Sequence, residues 1–299
     1  MGTGMSVSSN KKLNYLTWRM HKDLNADEVK RWAKGAFYNL VGYMPNLKNP
    51  KTFNEKILWY RLNYDSLDLR RSVDKVEFKS YIKEKIGEGY TAELYGVWSD
   101  EEDFTFDDLP KSFVLKSTFS SASENIIFVD NKDKINRNEL LYEMTEWLQP
   151  WNSSSKSFSN WYENSTPRIM AEEYLECTTG ALVDYKIMCF NGTPKCLFTV
   201  SDRFKEKYLD FYDLAWNRLP FKRKFQCSPY PSPPPKNLSQ MIEIAKLLSK
   251  PFPFVRVDFY EIGDKLYVGE LTFSPGGGFE PFSPAEWDKK LGDWLELPI

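Results

Sequence analysis

The stretch Phe254–Gly278, FVRVDFYEIGDKLYVGELTFSPGGG, decides how this chain is read. It divides into two strands, a short connection around Gly263–Asp264 and a glycine-rich loop. Along the first strand Phe254, Arg256, Asp258 and Tyr260 alternate with Val255, Val257 and Phe259, so one face is apolar and the other carries an arginine and a carboxylate. On the return strand Val268, Glu270 and Thr272 share a face, opposite Tyr267, Leu271 and Phe273. A connection with an odd number of residues predicts Asp258 directly opposite Glu270, with Cβ atoms about 4.5–5.5 Å apart. Two carboxylates that close repel each other unless a cation lies between them. An oxygen-only donor set suits Mg²⁺ better than Zn²⁺.

The 299 residues, 41% of them hydrophobic, are enough for a substantial core or for two or three lobes. A net charge of −2, with no Lys/Arg cluster strong enough to reverse it, argues against nucleic acid as a partner. No apolar run reaches membrane-spanning length, and residues 1–10 lack the hydrophobic segment of a signal peptide. Cys177, Cys189, Cys196 and Cys227 show no C-x-x-C spacing, which predicts free thiols in a reducing, cytoplasmic setting. The single histidine, His21, lies in a polar segment. Lysines, arginines and carboxylates are left to carry any chemistry.

Upstream, Ala26 to Leu40 predicts an amphipathic, partly basic helix. Thr52 with Glu55 forms a capping box for a second helix with Ile57, Leu58, Tyr60 and Leu62 as its apolar positions. Asp74 with Glu77 repeats the device for a helix ending at Gly87, which puts Lys75 in a first turn where backbone N–H groups favour an anion. Ser112 to Lys116 reads as a strand, followed by the polar loop STFSSASEN and a returning strand, Ile126 to Val129. Such a flap can wrap phosphate oxygens, with the lysine as a point charge. Pro167 to Glu176 reads as a buried strand ending in acids. Leu182 to Phe190, turning at Asn191–Gly192 into Pro194 to Val200, reads as a hairpin on which Asp184 and Lys186 share a face. A proline-rich tether, Cys227 to Lys236, leads to a helix capped by Asn237 with Leu238, Met241, Ile242, Ala245 and Leu248 on its buried face. The order of elements predicts an α+β architecture of several lobes.

The segments DKVEFKSYIKEKIGE, LPKSFVLK, RIMAEEYLE, VDYKIMCFNGTPK, FPFVRVDFY and GELTFSPGGGFEPFSP, in that order from about Thr52 to Pro284, resemble the TupA-like branch of the ATP-grasp superfamily. That resemblance implies two α+β lobes clasping ATP, preceded by a helical N-terminal region. The expected divisions are 1–98, 99–176 for the small lobe with its flap, and 177–299 for the large lobe with its metal-binding hairpin. Lys75 and Lys116 would bind the ATP phosphates, and Ser120, Ser121 and Ser123 lie in the flap. Glu172, Glu173, Tyr174 and Leu175 resemble the hinge that meets adenine, with Glu176 placed for a ribose hydroxyl. Lys186 would add charge near the phosphates. Asp258 and Glu270 would hold Mg²⁺, and Arg256 would face the acyl phosphate. Two departures stand out: Thr272 where the superfamily usually has Asn as a metal ligand, and Phe119 with SSAS where related flaps carry glycine and histidine.

The implied reaction joins a carboxylate to an amine through an acyl phosphate, at the expense of ATP. The expected carboxylate is a uronic acid or amino acid of a surface polysaccharide or its precursor, with other polysaccharide-biosynthesis enzymes as possible partners. A kinase acting on a sugar hydroxyl and a glycosyltransferase remain the alternatives.

Overall fold

The computed structural model describes residues 24–119, 125–149, 161, 166–175, 183–201 and 207–299. In chain order the elements are α1 (Ala26–Val41), α2 (Phe53–Asn63), α3 (Leu67–Val73), α4 (Lys75–Ile86), β1 (Leu94–Trp98), β2 (Phe113–Ser117), β3 (Ile126–Val129), α5 (Arg137–Trp147), β4 (Ile169–Glu172), β5 (Asp184–Phe190), β6 (Thr193–Ser201) and β7 (Tyr208–Tyr212). There follow β8 (Lys222–Arg223), α6 (Leu238–Ser249), β9 (Phe254–Ile262), β10 (Lys265–Thr272), β11 (Phe282–Ser283) and α7 (Glu286–Trp294). Two compact units emerge. Among the described residues, one comprises those within 24–31, 73–76 and 92–174, and the other those within 32–72, 77–91 and 175–299.

The first unit is organised on an antiparallel sheet of order β1-β4-β2-β3. Alternation sends Phe113, Leu115, Val129, Ile169 and Ala171 to one face, where they pack with Leu140, Met144 and Trp147 of α5. The other face carries Val114, Lys116, Met170 and Glu172, brought into line by the registers Val114↔Glu172 and Lys116↔Met170. The strand predicted from Pro167 to Glu176 is shorter than expected. It ends at Glu172, and Glu173 to Leu175 leave the ladder. Glu173 instead bonds Glu93, accepting from its N–H at 3.2 Å and donating its own N–H to the Glu93 carbonyl at 2.8 Å.

The second unit is built on an antiparallel sheet of order β10-β9-β5-β6-β7. Helix α6 covers β5, β6 and β9, burying Met241, Ile244, Ala245 and Leu248. Ile244 thus takes the place that the sequence pattern gave to Ile242. Asn237 stands at the N-cap but makes no side-chain cap bond; Glu261 accepts from the Lys236 and Asn237 N–H groups instead. The opposite face of the sheet packs Met188, Phe190, Phe198, Phe211 and Phe254 with Phe53 and Ile57 of α2 and with Trp287 and Leu291 of α7. Thr52 and Glu55 form the expected capping box at the start of α2. Asp74 caps α4 differently from the expected box: its Oδ1 accepts from Val76 N–H at 2.8 Å, and its Oδ2 accepts from Arg168 at 2.7 Å.

The β9–β10 hairpin changes register along its length. Ile262 pairs with Lys265, so the connection is two residues long, with Gly263 at φ 61°. An uninterrupted ladder from that turn would put Gly269 opposite Asp258. A β-bulge between Val268 and Glu270 takes up the extra residue and brings Glu270 opposite Asp258 and Thr272 opposite Arg256. The same bulge corrects the expected face of Val268, which pairs with Phe259 and is buried on the apolar side, while Tyr267 pairs with Tyr260. Gly269 is required by space: a Cβ there would lie 2.4 Å from Cε2 of Tyr260.

Candidate active site

Three adjacent strands of the second unit align Lys186, Asp258 and Glu270 in one row, through the pairings Lys186↔Asp258 and Glu270↔Asp258. Directly paired residues share a face, so the row continues with Arg256 and Thr272 one step along. Arg256 grips Asp258 with two parallel bonds, Nε to Oδ1 at 2.6 Å and Nη2 to Oδ2 at 2.7 Å, and also donates to the Thr272 hydroxyl at 2.8 Å. Its guanidinium lies over the Phe198 ring at 5.6 Å and 3.9 Å from Glu270 Oε2. Lys186 donates to Asp258 Oδ2 and lies 3.5 Å from Oδ2 of the fully buried Asp184. Asp258 is itself buried, whereas the Glu270 side chain is 59% exposed.

Burial by itself would raise the Asp258 carboxyl, but Arg256 and Lys186 together outweigh it and hold that group below the usual carboxylate range. Burial pulls the Lys186 ammonium down, with Asp258 opposing it. For Arg256 burial also acts downward, and Asp258 reverses it to a net rise. Asp258 is an anion serving two cations.

The expected Mg²⁺ ligands can be tested against this arrangement. Among the described residues no group of three or more His, Cys, Asp or Glu side chains gathers as a metal cage. Mg²⁺ ordinarily asks for less: one or two carboxylates, with phosphates and water completing the shell. Asp258, Glu270 and the Thr272 hydroxyl are hard oxygen donors on one face, and this donor set fits. Both oxygens of Asp258 are engaged by cations, so the ion would have to displace one of those contacts.

In the first unit Lys116 forms an ion pair with Glu172 across the β2–β4 ladder, joining two expected site residues. Lys75 is the first residue of α4, and both its N–H and its Nζ point to the Thr118 carbonyl, at 3.3 and 3.4 Å. Tyr174 contacts the exposed Phe128 with ring centroids 5.9 Å apart. Leu175 is half-buried. Ser120, Ser121, Ser123, Glu176, Cys177 and His21 lie outside the described residues.

Two residues absent from the sequence-based set matter. Arg168 ties the start of α4 to β4 through Asp74, while its carbonyl accepts from Thr118 N–H at 2.9 Å. Its signal was an arginine at the head of a strand otherwise reading as buried. Arg223, 3% exposed, donates to the Pro275 carbonyl at 2.8 Å, lies 3.3 Å from Glu280 and sits over the Phe282 ring at 5.1 Å. It anchors the turn Pro275–Gly278, which begins three residues past Thr272. A Cβ on Gly278, whose φ is 78°, would meet Asn54 O of α2 at 2.7 Å. The run Lys222–Lys224 between phenylalanines was its only trace in the sequence.

Residues 55–296 match the family described as TupA-like ATPgrasp. Among solved structures, D-alanine–D-alanine ligase from Bacillus anthracis complexed with ATP aligns at 15% identity and TM-score 0.43, covering 75% of this chain and 63% of that one. The corresponding ligase from Helicobacter pylori aligns at 16% identity and TM-score 0.40, covering 75% and 61%. The ATP-grasp ligase PsnB, complexed with minimal precursor, Mg and ADP, aligns at 12% identity and TM-score 0.36, covering 74% and 58%. The chain thus spans about three-fifths of the length of these structures. No curated protein matches it in sequence. With four-fifths of its length inside one family match, the chain belongs to the TupA-like ATP-grasp family.

Proposed function

We propose that this protein is an ATP-dependent carboxylate–amine ligase that forms an amide through an acyl phosphate and releases ADP. The observation that carries the reading is the row Lys186–Asp258–Glu270 with Arg256 and Thr272 beside it, cations and hard oxygen donors on one sheet face. Phosphoryl transfer asks for charge neutralisation and in-line positioning, and this set supplies both without a histidine base.

In this reading Lys75 and Lys116 take ATP phosphates, and the loop with Ser120, Ser121 and Ser123 wraps them. Backbone groups of Glu173 to Leu175, beside Glu172, meet the adenine edge, and Glu176 accepts from the ribose. Glu172 holds Lys116 until an anion competes for it. Asp258, Glu270 and, more weakly, Thr272 would hold Mg²⁺, whose chemistry when bound is to neutralise the β- and γ-phosphates. Lys186 stays beside the phosphates as a buried cation. Arg256, once it yields an oxygen of Asp258, stabilises the charge on the acyl phosphate and on the oxyanion formed during amide synthesis. A substrate carboxylate oxygen attacks the γ-phosphorus as the bond to ADP breaks. The amine nitrogen then attacks the acyl carbon, phosphate leaves, and the nitrogen gives its proton to solvent.

The carboxylate belongs, in this proposal, to a uronic acid or amino acid of a surface polysaccharide or its precursor, handled in the cytoplasm beside other enzymes of that assembly. The test is to incubate the protein with ATP, Mg²⁺, pooled uronic acids and amino acids, measure ADP and phosphate, and identify the amide by mass spectrometry. Release of both products only with both acceptors is the expected result. AMP with pyrophosphate overturns it; ADP with a phosphorylated product and no free phosphate makes the protein a kinase.

A further inference from the structure

Of the twelve exposed large hydrophobic side chains among the described residues, five fall within thirteen consecutive positions: Trp32, Tyr38, Leu40, Tyr43 and Met44, each at least 36% exposed. Exposed hydrophobics scattered singly need no explanation, whereas a concentration of this kind marks an interaction surface. Helix α1 uses Ala33 and Phe37 for the core. Trp32, Ala36 and Leu40, spaced four apart, form a separate stripe along it, and Met44 follows just past the helix end. The stripe ends on a firm base. The Tyr43 ring packs edge-on against Phe37 with centroids 5.1 Å apart, and its hydroxyl is 2.7 Å from Thr52 Oγ1.

The charge around this surface is mainly basic: Asp27 and Glu28 stand in the first turn of α1, Glu28 one turn before Trp32, and only cations follow as far as Lys51. From Lys30 to Lys51 the chain carries Lys30, Arg31, Lys34, Lys48 and Lys51 and no Asp or Glu, in a protein whose net charge is −2. Lys48 and Lys51 are exposed, and Lys34 is half-buried. We propose that this face docks the protein on the surface of an anionic phospholipid bilayer. Trp32, Leu40 and Met44 enter the interfacial layer, tyrosines sit at headgroup level, and the cations meet lipid phosphates. The contact is peripheral, since α1 is sixteen residues long and falls short of a span. A second copy of the chain fits the surface poorly, because a two-fold contact would set the same cations against each other.

Co-sedimentation of the full chain with vesicles of phosphatidylcholine alone, and of equal parts phosphatidylcholine and phosphatidylglycerol, tests the proposal at low and high salt. Binding to the mixed vesicles is expected to be at least about tenfold the stronger and to fade as salt rises. L40S/M44S and K48E/K51E should each weaken it by about tenfold or more while leaving the melting temperature unchanged. Equal binding to both vesicle types, no binding to either, or variants that bind like the wild type would overturn it. So would light scattering that finds a dimer broken by L40S/M44S in a protein that ignores vesicles. No nucleotide is present in any arm, so these outcomes are independent of the ligase reading.

Discussion

Each unit places a lysine–carboxylate pair on one face of its sheet, and the two pairs are built differently. In the first, Lys116 pairs with Glu172, and the lysine side chain is 25% exposed. In the second, a single carboxylate, Asp258, serves Lys186 and Arg256 at once, and all three side chains are 14% exposed or less. The lysine end of that pair is reached by water, so Lys116 can turn to another anion at smaller cost than a fully buried cation. Asp258 has no such freedom. Withdrawing its charge leaves two buried cations with only the longer contacts to Asp184 and Glu270, and breaking a buried pair of this kind costs several kcal/mol. The first pair is suited to changing partners, and the second holds its place until another cation replaces one of its two.

That difference is open to attack at its strongest point first. Asp258→Asn should cost about 3–5 kcal/mol in urea unfolding at neutral pH; a loss below about 1 kcal/mol would mean that the cations find other relief. The same variant alters the acid limb. Because the folded state holds the Asp258 carboxyl below its unfolded value of about 3.9, its stabilisation is complete above that pH and drains away as pH falls towards the lower folded value. Melting temperatures followed downward from pH 7 should therefore fall more steeply for the wild type than for Asp258→Asn in that acid window.

Next in size is Gly269→Ala, whose Cβ collides with the Tyr260 ring. We expect a loss of about 1–3 kcal/mol, reduced in the double variant with Tyr260→Ala. Equal losses in single and double variants would show that the strain lies in the bulge backbone and not in the ring. The smallest effect belongs to the first unit: Glu172→Gln should cost about 1 kcal/mol or less in stability. By freeing Lys116 it should leave ATP affinity, measured by calorimetry, undiminished. A large stability loss there would erase the contrast between the two pairs.

Much of this arrangement could be read from the chain because its signals are local. The Thr52–Glu55 cap, the Asn191–Gly192 turn and the alternation through Phe254 to Tyr260 depend on neighbours a few residues apart, and each appears in the structure. The candidate site was legible as a set of residue types, since Asp258, Glu270, Arg256 and Thr272 do share a face. What escaped depends on distant partners. The bulge follows from a conflict between a two-residue turn and the burial of Val268, and neither term is visible from alternation alone. Arg223 reaches the Pro275 carbonyl across fifty-two positions of sequence, a partner that the run Lys222–Lys224 does not announce. Strands β1 and β7 went unnoticed for opposite reasons: β1 is a short edge strand that is mostly half-buried, whereas β7 is short and buried on both faces, so neither shows an alternation.

The extra residue in β10 also has a consequence for how this hairpin tolerates changes of length. Removing Gly269 outright would leave Glu270 next in line after Val268, opposite Asp258 in an unbroken ladder, with only the local twist altered. Removing any one residue between Lys265 and Val268 instead slides the strand past its partner and turns buried side chains outward. Shortening by a single codon is therefore close to neutral at one position of this strand and costly four positions earlier.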